Sequence, residues 1–358
     1  MIWLFLLLLF LGITFFYLGG ADLKEFDFRC EQSFNHGQGR NQEHDAVEAS
    51  FAVGMAPLQR ASRADRLGLM REYMDKLSDG MKIDATVTPV NAGGVSAEWV
   101  VAPGTSSDRR VLYIHGGAFV MGSPKSHRNI TSRFSAVANA AVLVIDYRLM
   151  PENTRMAGIE DCRTAYRWLL QNGPQAAGAA QRLFIAGDSA GGNLALALIA
   201  WLRDQPLRSP DAAVALSPIT DSTFGGSSLK TNLKTDAMLG PMFSRVMRAP
   251  RPLLWWVSLV QNRISPSSPT VSPVYGHLGG LPPTLLQASE HEVLLDDARR
   301  YVNRAVVAGS PARLQTWAHV PHVWQMFYPQ LTEAREAWDE IEVFIAEIDA
   351  AHKPAKAA

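Results

Sequence analysis

The stretch FIAGDSAGGNLALAL at residues 184–198 decides the fold. It opens as an apolar run, is interrupted by a group of small and polar residues, and continues with the apolar spacing of a helix. The interruption GDSAG (187–191) fits the pattern G-x-S-x-G, in which a serine lies on a sharp turn between a strand and a helix. Two interpretations of Ser189 follow: a polar cap of the helix, or a nucleophile held above a sheet.

The chain around this stretch alternates short β-branched runs with helix-patterned segments, which predicts an α/β fold with a mostly parallel central sheet flanked by helices. The predicted strands are 97–102, 109–115, 140–147, 182–187, 212–217, 284–289 and 312–317. The predicted helices are 64–77, 123–139, 158–170, 190–203, 295–308 and 333–350. The long interval between residues 217 and 284 breaks this alternation, so we expect a helical cap subdomain inserted there, at about 222–263.

The first 62 residues differ in composition from the rest. Residues 1–18 carry no charge and predict a membrane anchor or uncleaved signal over 1–20, with cleavage near Ala21 as the alternative. Lys24 and Arg29 follow this segment and favour a cytoplasmic globular part. Residues 21–62 are polar with little periodicity and predict a linker or loosely ordered arm, which leaves 63–358 as the folded domain.

Charge and cysteine content exclude several classes of protein. Lys plus Arg and Asp plus Glu are balanced at 34 each, and no basic run is present, so nucleic acid is not expected as a partner. Cys30 and Cys162 provide neither a disulfide framework nor metal-ligand spacing. No metal or organic cofactor is expected.

A nucleophilic serine needs donors for an oxyanion, a base and an orienting acid. The turn in YIHGGAF (113–119) follows a predicted strand and offers free backbone N–H groups. In the order serine, acid, histidine, two late loops supply the partners. The acid candidates are Glu290, Glu292, Asp296 and Asp297, and the base candidates are His319 and His322.

Six sequence blocks, taken in chain order, resemble those of the hormone-sensitive-lipase-like (family IV) carboxylesterases of the α/β-hydrolase superfamily. They are HGGAF (115–119), DYRLMPE (146–152), GDSAGG (187–192), LSPITD (216–221), LPPTLLQASEHEVLLDD (281–297) and HVW (322–324). The resemblance covers residues 109–343. It implies hydrolysis of carboxylic esters, of short- to medium-chain acyl or aryl type, through an acyl-enzyme.

The resemblance also assigns site residues. It implies Ser189 as nucleophile, Glu292 as acid in place of the commoner Asp, and His322 as base. The predicted oxyanion hole consists of backbone groups of Gly117, Ala118 and Ala190, together with the neighbouring Gly116.

The cap and the alternatives are less defined by the sequence. Trp255 and Trp256 form either the core of the cap or a lid over an apolar substrate, and Val323 is a further predicted substrate contact. An amidase, a deacetylase or a lipase would use the same residues. A non-catalytic small-molecule-binding protein of this fold is the alternative outside enzymes, although such relatives lose the base. Relatives are often dimers, so a homodimer stays open.

Overall fold

The computed structural model describes residues 1–34, 37, 39–62 and 64–352. In this part of the chain nine strands form one sheet in the order β1-β9-β8-β7-β6-β4-β5-β3-β2. All neighbouring pairs are parallel except two: β3 is antiparallel to β5 on one side and to β2 on the other. The strands are β1 (Gln32–Ser33), β2 (Thr86–Ala92), β3 (Val95–Val101), β4 (Ser106–Ile114), β5 (Ala140–Ile145), β6 (Arg182–Asp188), β7 (Ala212–Leu216), β8 (Thr284–Ser289) and β9 (Ala312–Trp317).

The α-helices connect these strands and cover both faces of the sheet. They are α1 (Ile2–Gly12), α2 (Gln42–Arg60), α3 (Arg66–Asp75), α4 (Arg128–Ala138), α5 (Arg155–Leu169), α6 (Ser189–Arg203), α7 (Ser228–Thr231), α8 (Gly240–Val246), α9 (Arg251–Asn262), α10 (Leu295–Val307) and α11 (Thr332–Ala351). A π-helical segment, Ile13–Leu18, continues α1.

Alternation along the central strands divides the core into two layers. In β4, Leu112 and Ile114 belong to the layer that contains buried residues of α5, α6 and α10. Val111 and Tyr113 belong to the opposite layer, with residues of α4 and α11. Because successive side chains of a strand point to opposite faces, a sheet covered on both sides needs near-continuous apolar strands, as the sequence has. The predicted α/β fold with a mostly parallel sheet is confirmed.

The sheet brings together the four loops that the sequence selected. The turn at 115–119 follows β4, Ser189 follows β6, the acidic loop follows β8 and the histidine loop follows β9. In parallel sheets, ligand sites lie beyond the carboxyl ends of the strands. All four loops leave from that edge.

The first 62 residues contain more regular structure than the sequence predicts. Helix α2 lies within the segment predicted as a linker, and β1 pairs with β9. The start of α2 is fixed by Asn41, whose side chain accepts hydrogen bonds from the N–H groups of Glu43 and His44. The Glu43 carboxylate then accepts hydrogen bonds from the Thr332 N–H and hydroxyl, each at 2.8 Å. The prediction of a loosely ordered arm was wrong because it could not include this contact with the distant start of α11.

The end of helix α1 and the π-helical segment that follows it lie against the cap. Among the described residues, no helix combines the length and the apolar character that are needed to cross a bilayer. Three helices, α7, α8 and α9, occupy the predicted cap region between β7 and β8. The N-terminal segment packs along α9 in particular.

Candidate active site

Ser189 lies at the junction of β6 and α6 in a backbone conformation that residues other than glycine rarely adopt. Its φ is +52°, in the left-handed region. A Cβ at position 191 would overlap the carbonyl oxygen of Ile114, and one at position 187 would meet the carbonyl oxygen of Gly191. The two glycines of the pentapeptide therefore allow the turn to press against β4 and the first turn of α6. Backbone strain of this kind, of order 1–3 kcal/mol, is held by such tight surroundings.

The loops after β8 and β9 bring one acid and one histidine together. The Oε2 atom of Glu292 lies 2.5 Å from Nδ1 of His322, and both side chains are buried. The other carboxylate oxygen of Glu292 accepts the N–H of Ser289 at 2.9 Å. The Nε2 atom of His322 has no hydrogen-bond partner within the described part of the chain. This arrangement fixes the ring through one nitrogen and leaves the other available for proton transfer.

The surroundings of His322 affect its charge in two opposing ways. Burial disfavours the imidazolium and lowers its pKa, whereas the adjacent Glu292 raises it by its charge and its hydrogen bond, and Asp236 and Asp188 add to this. The net result is a pKa above the usual histidine value. The pair therefore favours the protonated ring that a base forms during reaction.

The competing acids have other partners. Glu290 accepts a hydrogen bond from the Ser33 hydroxyl at 2.6 Å. Asp296 accepts the Ser228 N–H and pairs with Arg299, and Asp297 accepts the N–H groups of residues 220 and 221. Both aspartates lie in the first turn of α10 and hold the loop that enters the cap. Of the four candidates, Glu292 alone is within hydrogen-bond distance of His322 in the described chain.

His319, the other candidate base, lies outside this pair. The backbone N–H of His319 donates to Nδ1 of His291 at 2.8 Å, and the centroids of the two rings are 4.8 Å apart. His319 shares the loop after β9 with His322, and its φ is +64°.

The glycine-rich turn after β4 provides donors of two kinds. The N–H groups of Gly117 and Ala118 donate to none of the described residues. Ala190 lies in the first turn of α6, where N–H groups have no partner inside the helix. Gly116 differs, because its N–H donates to the Asp188 carboxylate at 3.1 Å. The prediction that Gly116 belongs to the oxyanion hole is therefore corrected: its donor is used to hold the turn.

Comparison with known proteins gives consistent matches. A family model described as the alpha/beta hydrolase fold matches residues 111–326. An acetyl-hydrolase from Streptomyces hygroscopicus is 39% identical over 72% of this chain and 81% of its own. A carboxylesterase/phospholipase from Mycobacterium tuberculosis is 35% identical over 74% of this chain and 69% of its own. A crystal structure of an esterase from the bacterial hormone-sensitive lipase family has a TM-score of 0.75 at 37% identity, covering 87% of this chain and 99% of that one.

The chain belongs to the hormone-sensitive-lipase-like carboxylesterases. This confirms the resemblance drawn from the six sequence blocks, and it makes the protein a carboxylic ester hydrolase of the α/β-hydrolase superfamily.

Behind the glycine-rich turn of this esterase lies a buried polar cluster that the sequence did not reveal. Asp188 accepts hydrogen bonds from the Gly116 N–H and the Tyr113 hydroxyl, and its Oδ2 atom lies 3.3 Å from Nε2 of His127. Burial raises the pKa of Asp188, but the charge and hydrogen bond of His127 lower it. The net result is a pKa below the usual value. Asp188, which directly precedes the nucleophile, is thus held to the glycine-rich turn at Gly116. The only signal in the sequence was the position of Asp188 within the pentapeptide.

His115 at the start of the same turn has a structural contact. Its Nδ1 donates to the carbonyl of Gly116 at 2.8 Å, and its ring stacks on Tyr147 at 4.4 Å. Burial, together with the nearby His127, lowers its pKa to about 3. The ring is therefore neutral at physiological pH.

Two cap residues that the sequence did not single out hold the acidic loop. Asp236 accepts the N–H of Val293 at 2.9 Å. The Asn232 side chain donates to the carbonyl oxygens of Glu290 and Glu292, at 3.0 and 2.9 Å. The cap thus supports the loop that carries Glu292.

The residues predicted to contact substrate have contacts within the chain. The Trp255 indole N–H donates to the Thr223 carbonyl at 2.8 Å, and the Trp256 indole N–H donates to the Thr14 hydroxyl at 3.0 Å. Val323 is buried with a φ of +52°, and its N–H donates to the Ser217 hydroxyl. A substrate contact for these three residues stays a prediction.

Proposed function

We propose that this esterase cleaves esters of short- to medium-chain or aryl acids through a Ser189–His322–Glu292 triad and an acyl-enzyme. The observation that carries the proposal is the buried Glu292–His322 pair with an unpartnered Nε2. In the proposed reaction, His322 accepts the proton of Ser189 as the hydroxyl attacks the ester carbonyl. Glu292 holds the imidazole tautomer and stabilises its charged form.

The proposed oxyanion hole consists of the N–H groups of Gly117, Ala118 and Ala190. They would stabilise the tetrahedral intermediate of each half-reaction. The alcohol leaves with the proton from His322, and water then attacks the acyl-enzyme by the same route. Two free donors on one turn and one at a helix start support this assignment.

The acyl range is tested with a series of p-nitrophenyl esters of increasing chain length. A relative named as an acetyl-hydrolase supports short acyl groups. We expect kcat/KM to have a maximum at short chains and to fall for long ones. A rate that rises into long chains would indicate a lipase instead, and faster cleavage of an aryl amide than of its matching ester would indicate an amidase or deacetylase.

A Gly117→Ala substitution is expected to lower kcat by about 10²- to 10³-fold, the usual effect of losing one oxyanion donor. The φ of Gly117 is +113°, and a Cβ there would overlap the carbonyl oxygen of Met121, so the N–H would move. Gly94→Ala is the matched control, because Gly94 has a φ of +104° and open space around a Cβ. Similar turnover in the two variants would contradict the assignment.

The pH dependence follows from the raised pKa of His322. The base must be neutral to accept a proton, so kcat/KM should fall on acidification through the pKa of His322, with a midpoint above about 6.5. In a Glu292→Gln variant His322 loses the charge that raises its pKa but stays buried. NMR titration should therefore give its imidazole a lower pKa than in the unmodified chain. An unchanged pKa in that variant would contradict the role given to Glu292.

A further inference from the structure

The N-terminal segment is attached sideways to the cap helix α9. Phe10 stacks on Trp256 with ring centroids 5.3 Å apart and planes within 4°, and Phe15 meets Trp255 edge-on at 6.2 Å. The Thr14 hydroxyl accepts the Trp256 indole N–H. Farther along, two cap-side hydroxyls, of Ser265 and Ser267, donate to the Tyr17 carbonyl at 2.7 and 2.6 Å. Residues 10–17 therefore lie along the cap, fixed by both ring contacts and hydrogen bonds, and the exposed residues 2–9 continue from them.

The outer surface of this pair of elements is apolar. On α9, Leu253, Val257 and Val260 have helical i, i+4, i+7 spacing and are exposed, Val260 to 73%. Trp256 lies beside this face, so the segment stacked on it extends the same surface. Its exposed apolar residues are Ile2, Trp3, Leu4, Phe5, Leu6, Leu7, Leu8, Leu9, Phe10, Leu11, Phe15, Phe16 and Tyr17. Soluble monomers rarely expose an apolar patch of this extent. We call this surface, formed by residues 2–17 and the exposed side of α9, the cap face.

The cap region that includes α9 has a net positive charge. The cap region 222–263 contains six basic residues and one acidic residue, in a chain with no net formal charge. The single acid, Asp236, is buried, whereas five of the basic side chains are exposed: Lys230, Lys234, Arg245, Arg248 and Arg263. Within the described chain none of these five takes part in the salt bridges. The exposed charge of the cap region is therefore mainly positive.

We propose that the cap face docks in the plane of an anionic lipid bilayer. An exposed apolar surface with Trp, Phe and Leu, accompanied by Lys and Arg, has the chemistry of elements that lie in a membrane interface. Each basic residue near an anionic bilayer raises the binding affinity by about fivefold, so two of them raise it by about 30-fold. A second copy of the chain is a poorer occupant, because a symmetric contact would bring two sets of unpaired basic residues together. Docking places the cap toward the lipid, and on the proposed function it would give the site access to esters dissolved in the bilayer.

The test is flotation of the full chain with vesicles of phosphatidylcholine, alone or mixed with phosphatidylglycerol. Binding is measured without turnover, so its outcome is independent of the proposed triad. We expect strong binding to the mixed vesicles, weakened by salt. A Leu253→Glu/Val260→Glu variant should bind at least tenfold more weakly, because it places charge on the apolar side of α9. An Arg245→Gln/Arg248→Gln variant should lose about 30-fold of its preference for anionic vesicles.

Matched controls are available elsewhere on the surface. Val306 and Val307 are exposed on α10, and a Val306→Glu/Val307→Glu variant should bind as the unmodified chain does. Lys76→Gln/Lys82→Gln removes the same charge as the arginine variant from another exposed region. Hydrolysis of a water-soluble p-nitrophenyl ester shows that each variant is folded.

Three outcomes would overturn the proposal. Full binding by the Leu253/Val260 variant would mean that the N-terminal segment inserts without the cap. Equal binding to neutral and anionic vesicles would remove the electrostatic part. Failure to bind vesicles, together with a dimer that the Leu253/Val260 variant disrupts, would show that the cap face pairs two copies of the chain.

Discussion

A Ser189→Ala variant is expected to lose about 10⁴- to 10⁶-fold in kcat for a p-nitrophenyl ester, with KM changed far less. The reason is that the hydroxyl supplies the covalent bond of the acyl-enzyme, and no other group can replace it. Ser189 has a φ of +52° between β6 and α6, and alanine keeps the same Cβ while removing only the hydroxyl, so it adds no steric conflict in this turn. The folded structure should survive, and the loss should lie in the chemical step.

A matched control is Ser132→Ala. The Ser132 hydroxyl donates to the Asn129 carbonyl of its own helix, so its loss should leave turnover near that of the unmodified chain. A serine-directed phosphonate adds a second readout, since mass spectrometry should find one adduct on the unmodified chain and none on Ser189→Ala. Retained turnover in Ser189→Ala would refute the nucleophile. Failure of the unmodified chain to react would favour a non-catalytic binding protein.

A Glu292→Gln variant is expected to lose about 10⁴-fold in kcat, as when the acid of a comparable triad is made neutral. Gln keeps the size of the side chain, but its amide can present N–H to Nδ1 of His322 and thereby favour the wrong tautomer. The 2.5 Å contact in a buried site makes this change costly, because water cannot replace the lost charge.

Glu290→Gln is the control for this experiment, two residues away in the same loop. Glu290 contacts the hydroxyls of Ser33 and Thr316 and not the base, so kcat should change by less than about threefold. Asp296→Asn provides a further comparison, although Asp296 also holds Arg299. A larger loss in Asp296→Asn than in Glu292→Gln would transfer the role of the acid to that aspartate.

The sequence predicted the central fold because its signals are local. The strands 284–289 and 312–317 agree with β8 and β9, since Gly and Pro precede each of them and a helix-patterned segment separates the two. The antiparallel strand β2 was missed. It pairs by a hairpin at the edge of the sheet, and its exposed, polar residues carry little pattern.

The site was predicted unevenly for a related reason. Chain order left four acids open and the family resemblance selected Glu292, but the contact of Glu292 with His322 depends on the packing of two distant loops. The use of the Gly116 N–H could not be predicted, because its acceptor, Asp188, is 72 residues away. Local patterns identified the reacting groups, whereas the contacts that hold them depend on tertiary structure.

The stacking of Phe10 on Trp256 has a practical consequence for anyone who shortens this chain to improve its behaviour in solution. Removing the first 20 residues deletes many exposed apolar side chains, but it also uncovers the two indole rings and leaves the Trp256 N–H without its Thr14 acceptor. The shortened protein would therefore still expose apolar surface, at the two indole rings instead of at the N-terminal segment. Purifying the full chain in a mild detergent, which covers the apolar residues without unstacking the rings, is the more faithful preparation.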